Sequence, residues 1–302
     1  MEIGDDMNVL EIKNLKKAFA DKEVLKGVDL TVSSNTIYGF VGKNGAGKTT
    51  TMKMILGLMK SDEGKIFVNG KEVKYGDNET NRYIGYLPDV PEFYNYMNAR
   101  EYLKLCGEIS KMKSDDIKKR TDELLEKVGL AGEKKKIKGY SRGMKQRLGV
   151  AAALFSRPKL LICDEPTSAL DPIGRKELLE ILLEAKKETT IIFSTHILSD
   201  VEKICDEMAF LNDGKIVLSG KISDIKNQNR KNRYIIDSDG HNDELIGVFE
   251  GLRKISDDEL ELIDVTKLSD ILEYMSNNDI KPLKIERVEP SVEDLFVEVT
   301  KQ

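Results

Sequence analysis

The sequence predicts an α/β protein: a core of alternating strands and helices, a helical insertion, and a small α+β unit at the end. Three observations predict it. Short apolar runs alternate with segments of helical periodicity. A glycine-rich octapeptide, Gly42–Thr49, joins one such run to a helical pattern. Charge is split along the chain: Arg230–Gln302 holds 10 Lys and Arg against 18 Asp and Glu, leaving the remainder at +3 out of a total of -5. That asymmetry suggests two domains, expected at residues 8–225 and 226–302.

The elements follow in order. Val9–Ile12 and Val24–Val32 read as strands, the second with Val28, Leu30 and Val32 alternating. Ile37–Val41 is a continuous apolar run ending at Gly42, the pattern of a strand buried on both faces. Lys48–Met59 has helical spacing through Met52, Ile55, Leu56 and Met59, and Gly64–Gly70 reads as a hairpin arm. Asn98–Leu130 is helical and forms the centre of an insertion spanning about residues 90–158. Lys159–Cys163 is a strand, Pro172–Lys187 a helix and Thr189–Ser194 a strand. Met208–Leu211 and Lys215–Leu218 flank Asn212-Asp213-Gly214, a hairpin signal. The basic stretch Lys226–Arg233 reads as a linker. Beyond it, Tyr234–Asp237, Glu259–Val265 and Lys281–Val288 read as strands, and Asp243–Leu252, Lys267–Asn277 and Ser291–Val299 as helices.

Composition narrows the function. With 40% hydrophobic and 33% charged residues the chain has a globular balance. No apolar run reaches the ~18–20 residues a membrane helix needs. Met1–Asn8 carries acids and lacks the apolar centre of a signal peptide, so the chain is expected to stay in the cytoplasm. The net negative charge argues against a general nucleic-acid binder. Cys106, Cys163 and Cys205 lie far apart and form no C-x-x-C pair, so reduced, buried thiols are expected.

Two motifs carry chemistry. Gly42-Lys43-Asn44-Gly45-Ala46-Gly47-Lys48-Thr49 fits G-x-x-x-x-G-K-[ST]. Backbone N–H groups from Asn44 to Thr50 can converge on phosphate oxygens where glycines remove the Cβ, at the positive end of the following helix. Lys48 is placed to reach the outer phosphates and Thr49 to ligate Mg²⁺. Downstream, the apolar strand Leu160–Cys163 ends in Asp164-Glu165. Asp164 at the strand tip suits Mg²⁺, and Glu165 the water that attacks a phosphate. Alone, the two acids read equally well as a helix cap.

The stretch Tyr140-Ser141-Arg142-Gly143-Met144-Lys145-Gln146-Arg147 resembles the signature of ABC transporter ATP-binding subunits, L-S-G-G-Q, in the place that family puts it. The resemblance covers about Val9–Ser219. Ser291-Val292-Glu293-Asp294-Leu295-Phe296 further resembles the terminal helix of the drug-, antibiotic- and sodium-export branch. The family implies a P-loop ABC ATPase core and an ATPase with ATP and Mg²⁺ as ligands. It also implies that Phe19 stacks on adenine, where the alternative is a core Phe. Ser168–Asp171 matches the loop that crosses the dimer interface, Asp171 serving also as a helix cap. His196 matches the switch histidine that touches the γ-phosphate. Glu165, His196 and Lys48 are then the catalytic set, and Ser141 and Gly143 grip a nucleotide held by the facing subunit.

Two departures from the family pattern stand out. Asp89 takes the place of the usual Gln, and an acid there can still ligate Mg²⁺. Arg142 and Met144 replace Gly and Gln of the signature, a form that resembles the export branch. The resemblance implies a homodimer, a separate membrane permease and a position on the inner face of the membrane. The loop Pro91–Met97, aromatic for a loop, and the insertion after it are the expected permease contact. The basic run Lys134–Lys136 reads as a solvated face. The alternative function is a soluble ABC ATPase acting on nucleic acid or ribosomes, or a regulatory subunit of poor turnover.

Overall fold

The computed structural model describes residues 8–20, 22–76, 79–228, 233–288 and 290–300. Residues 1–7, part of the acidic start read above, lie outside them. Two compact units divide at Ile222 and Ser223, against an expected boundary at 225/226.

The first unit contains β1 (Asn8–Phe19), β2 (Lys22–Ser33), β3 (Ile37–Val41), α1 (Lys48–Ile55), β4 (Glu63–Val68), β5 (Lys71–Glu72) and β6 (Ile84–Leu87). Then come α2 (Ala99–Ile109), α3 (Ser114–Lys127), α4 (Arg142–Leu154), β7 (Leu160–Asp164), α5 (Pro172–Ala185), β8 (Thr190–Thr195), α6 (Leu198–Ile204), β9 (Glu207–Asn212) and β10 (Lys215–Lys221). The described strands build one sheet in the order β10-β9-β3-β8-β7-β6 and another in the order β2-β1-β4-β5. In the first, β9, β3, β8, β7 and β6 run parallel. Parallel strands need cover on both faces, and β3, β7 and β8 are buried at every residue. Phe40, Phe193 and Phe210 are fully buried there, each contributing about 2–3 kcal/mol of burial. Because these strands are parallel, Gly42, Pro88, Glu165 and His196 all follow strand tips on one edge, where open α/β sheets bind ligands.

Several expected boundaries move, for local reasons. The first strand continues past Ile12 to Phe19 because it pairs with both β2 and β4. Its register shifts around Asn14, at φ +47°, which hides the alternation. The helix expected over 48–59 ends at Ile55, before Gly57 at φ +67°. The helical stretch 98–130 splits into α2 and α3 at Lys111, which holds φ +55°. Asn98 opens α2 with a reciprocal cap: its side chain accepts from Glu101 N at 2.9 Å, and its own N–H donates to Glu101 Oε2 at 2.8 Å. Lys134–Lys136 are exposed. The three cysteines are free, Cys163 buried and the other two half-buried.

An α7 (Ile222–Gln228) opens the second unit, so a helix occupies the start of the segment read as a linker. Residues 229–232 of that segment lie outside the described residues. The second unit contains β11 (Tyr234–Asp237), α8 (Asn242–Val248), β12 (Leu252–Lys254), β13 (Leu260–Leu262), α9 (Leu268–Asn277), β14 (Lys284–Arg287) and α10 (Val292–Thr300). Its sheet is antiparallel in the order β12-β13-β11-β14. Ile236, Leu260 and Leu262 pack against Leu245 of α8 and Ile271 and Met275 of α9. The helix expected over 243–252 stops at Val248; Gly251 at φ +94° turns the chain and Leu252 starts a strand. Among the described residues no helix is long and apolar enough to cross a membrane.

Candidate functional site

The phosphate loop follows β3, and its glycines meet a specific demand. Gly47 caps α1 at φ +112°, and a Cβ there would lie 2.7 Å from Leu25 Cδ2. A Cβ at Gly42 would lie 2.6 Å from Leu211 O. The loop is therefore pressed against β2 and β9, with its N–H groups at the α1 terminus. Asn44 and Gly45 are exposed, Ala46 and Thr50 half-buried. Lys48 is buried; its Nζ donates to Gly42 O at 2.6 Å and lies 3.1 Å from Glu165 Oε1.

Strand register brings the acids to this loop. Asp164 pairs across β7 and β8 with Ser194. Asp164 Oδ2 accepts from Thr49 Oγ1 at 2.9 Å and Oδ1 from Ser194 Oγ at 3.1 Å. Burial raises the Asp164 pKa, a push that the Thr49 and Ser194 hydrogen bonds oppose; neighbouring Glu165 adds to it and Lys48 counters it. The next residue, Glu165, holds φ +48°, a strained setting for a non-glycine, fixed by its N–H donating to Ser194 O at 2.8 Å. Its Oε2 lies 2.8 Å from His196 Nδ1. One carboxylate thus touches both Lys48 and His196.

Asp89 follows β6. Its Oδ1 accepts from Ser168 Oγ at 2.8 Å, and its carbonyl from Gln146 Nε2 at 2.6 Å. Tyr86 senses both Asp164 and Asp89: burial first, then those two charges, pushes its hydroxyl up to about 12. Among the described residues no cluster of three or more His, Cys, Asp or Glu forms a metal cage. The hard oxygen pair Thr49 and Asp164, with a buried negative charge, fits Mg²⁺ shared with phosphate oxygens.

The remaining candidates stand on other elements. Phe19 ends β1 and is 45% exposed, so it is not a core residue; Lys17 Nζ lies 5.4 Å from its ring centroid. Ser141 caps α4, accepting from Met144 N at 3.2 Å, and a Cβ on Gly143 would meet nothing nearer than Ser141 Oγ at 4.0 Å. The α4 terminus is open to an anion. Among the described residues no hydrogen bond or ion pair joins Ser141 or Gly143 to Lys48, Thr49 or Asp164. Asp171 caps α5 by accepting from Gly174 N at 2.9 Å, with Pro172 in the first turn.

Two partners escape the sequence reading. Ser194 holds Asp164, and its only signal is a hydroxyl after the apolar run Ile191–Phe193. Gln146 ties the signature helix to Asp89, and nothing in its spacing announces that reach.

The family profile "ABC transporter" matches residues 25–168 and the profile "ATP-binding protein DrrA1-3-like, C-terminal domain" matches 220–300. The bacitracin transport ATP-binding protein BcrA of Bacillus licheniformis is 36% identical over 301 residues, covering 96% of this chain and 97% of that one. The linearmycin resistance ATP-binding protein LnrL of Bacillus subtilis is 32% identical, covering 97% and 98%. Among solved structures, an ATP-binding subunit of an ABC transporter superposes with TM-score 0.66 at 33% identity over 73% of this chain and 92% of that one. The cbiO1 component from Clostridium perfringens does so with TM-score 0.67 at 28% identity over 73% and 90%. The chain belongs to the ATP-binding subunits of ABC transporters, a family of ATPases.

Proposed function

We propose that two copies of this chain close head to tail over two ATP molecules and that hydrolysis reopens them, driving a separate membrane permease that exports its cargo. The observation that carries this reading is the convergence of Lys48, Thr49, Asp164, Glu165 and His196 at adjoining strand tips, while Ser141 and Gly143 lie on a helix terminus with no bond to them. A signature not bonded to the phosphate loop of its own chain suits a phosphate held by a second copy. In this reading Lys48 and the N–H groups from Asn44 to Thr50 hold the outer phosphates, and Phe19 stacks on the adenine. Thr49 and Asp164 would hold Mg²⁺, which would supply charge neutralisation on the phosphates. Glu165 orients water and takes its proton, and His196 steadies Glu165 and the γ-phosphate edge. Asp171 and Ser168 face the second copy.

The permease reading rests on the transport and resistance roles of the relatives, and on an exposed aromatic cluster. Phe93 and Tyr102 meet edge to face at 4.9 Å, and Tyr94 and Tyr96 are more than half exposed. Such a cluster suits a helix from a membrane partner, which would hold the chain at the inner membrane face.

Glu165→Gln tests the core of the proposal. The variant should bind ATP, lose turnover by about 10²-fold or more, and sediment as an ATP-dependent dimer. Wild-type turnover would remove Glu165 from the reaction.

A further inference from the structure

We propose that Asp200 is a positioning residue for ATP hydrolysis, setting the loop between Glu165 and Asp171. Asp200 lies on α6 and is fully buried. Its Oδ2 accepts from Thr167 Oγ1 at 2.8 Å. Both carboxylate oxygens accept from Arg175 Nε, at 2.7 and 2.8 Å, and Arg175 Nη2 donates to Ser199 Oγ at 3.1 Å.

Each partner belongs to a segment with a site residue. Thr167 comes two residues after Glu165 and is 1% exposed. Arg175 lies in the first turn of α5, the helix that Asp171 caps. Asp200 itself follows His196 in the connection from β8. One carboxylate therefore joins the three segments that carry Glu165, Asp171 and His196. The loop needs this outside support. Its internal bonds are long, Ser168 N to Glu165 O at 3.3 Å and Leu170 N to Thr167 O at 3.2 Å. Glu165 also holds a left-handed backbone that persists only where its surroundings impose it. A buried ion pair gives little net stability over an apolar replacement. The geometric effect of Asp200 is to fix where the loop stands.

The test uses the full chain, with phosphate release and equilibrium ATP binding as readouts. Thr167→Val keeps shape and leaves the Asp200–Arg175 pair intact. It should lower kcat about tenfold, since small misplacements of reacting groups are costly. KM and Kd for ATP should stay within about twofold, because Lys48 and the phosphate loop are untouched. Thr167→Ser restores the hydroxyl and should restore kcat. Asp200→Asn should act in the same direction as Thr167→Val. Wild-type kcat in Thr167→Val overturns the proposal, and so does a Thr167→Ser chain as slow as Thr167→Val, which would assign the loss to packing. The inference rests on the roles proposed for Glu165 and Asp171, and the two fail separately. An active Glu165→Gln chain removes that reading, whereas an inactive one beside wild-type-like Thr167→Val removes only this one.

Discussion

Replacing Gly47 by Ala separates two contributions that the structure keeps apart at Gly45. Both glycines hold positive φ, +84° at Gly45 and +112° at Gly47. A Cβ at Gly45 meets nothing within 4 Å, whereas at Gly47 it lies 2.7 Å from Leu25 Cδ2 and 3.3 Å from Val24 O. Gly45→Ala therefore carries only backbone strain, about 1–2 kcal/mol for an L-residue in the left-handed region. Gly47→Ala adds a clash with Leu25, which is 1% exposed and has little room to yield. Forcing a methyl into a packed core costs about 1–3 kcal/mol more. At about 2–4 °C per kcal/mol for a domain of this size, Gly45→Ala should lower the melting temperature by about 2–8 °C and Gly47→Ala by about 4–20 °C. Paired thermal melts monitored by circular dichroism, with ATP titrations on each variant, measure both. The strain also reaches the ligand, because Gly47 leads straight into Lys48. ATP affinity should fall at least about tenfold more for Gly47→Ala, a 1.4 kcal/mol difference. Equal melting shifts for the two variants would refute the claim that contact with β2 shapes the loop.

Three other outcomes follow from the described contacts. Phe19→Ala should weaken ATP binding by about 1–3 kcal/mol, the worth of a base stacked on an aromatic ring, while leaving the melting temperature nearly unchanged; isothermal titration reads both the loss and its absence. Asp89→Ala removes the acceptor of Ser168. It should lower kcat with the Mg²⁺ dependence of turnover unchanged, whereas a raised Mg²⁺ requirement would make Asp89 a metal ligand. Burial pushes the Cys106 thiol up to about 11 from an ordinary value near 9. The neutral thiol is the favoured folded form, so its contribution is full below pH 9 and is lost as pH rises from about 9 to 11. Over that window denaturant midpoints should fall less in Cys106→Ala than in the parent chain.

The parts of this fold legible in sequence are those where burial leaves one pattern. β3 and β7 are apolar at nearly every position, and β8 carries the apolar centre Ile191–Phe193, because both faces are covered; their ends are marked by Gly42, Asp164 and His196. The ribbon β1–β2 is half legible. Asn14 and the shifts beside it break the alternation in β1, so only its first few residues read as strand, whereas Val24–Val32 covers most of β2. The α2–α3 break is invisible because Lys111 is an ordinary residue in an unusual conformation. The site divides the same way. Lys48, Thr49, Asp164 and Glu165 sit at fixed offsets within short motifs. Ser194 and Gln146 act across distances set by strand pairing and helix placement, which no local spacing encodes.

The register of β7 against β8 has a consequence for how this chain tolerates change in length. Asp164 stands opposite Ser194 on the last rung of this ladder, and just past it the Glu165 side chain reaches His196. Adding a residue inside β8 would slip the ladder and turn the Ser194 hydroxyl to the opposite face. Adding residues between Lys186 and Thr189, on the connection leading into β8, would leave that rung and the Glu165–His196 contact in place. Insertion scanning should therefore find a sharp boundary at Thr190, with active chains before it and inactive ones through Thr195. A chain engineered for longer connections has room at the opposite end of these strands and none at the tips.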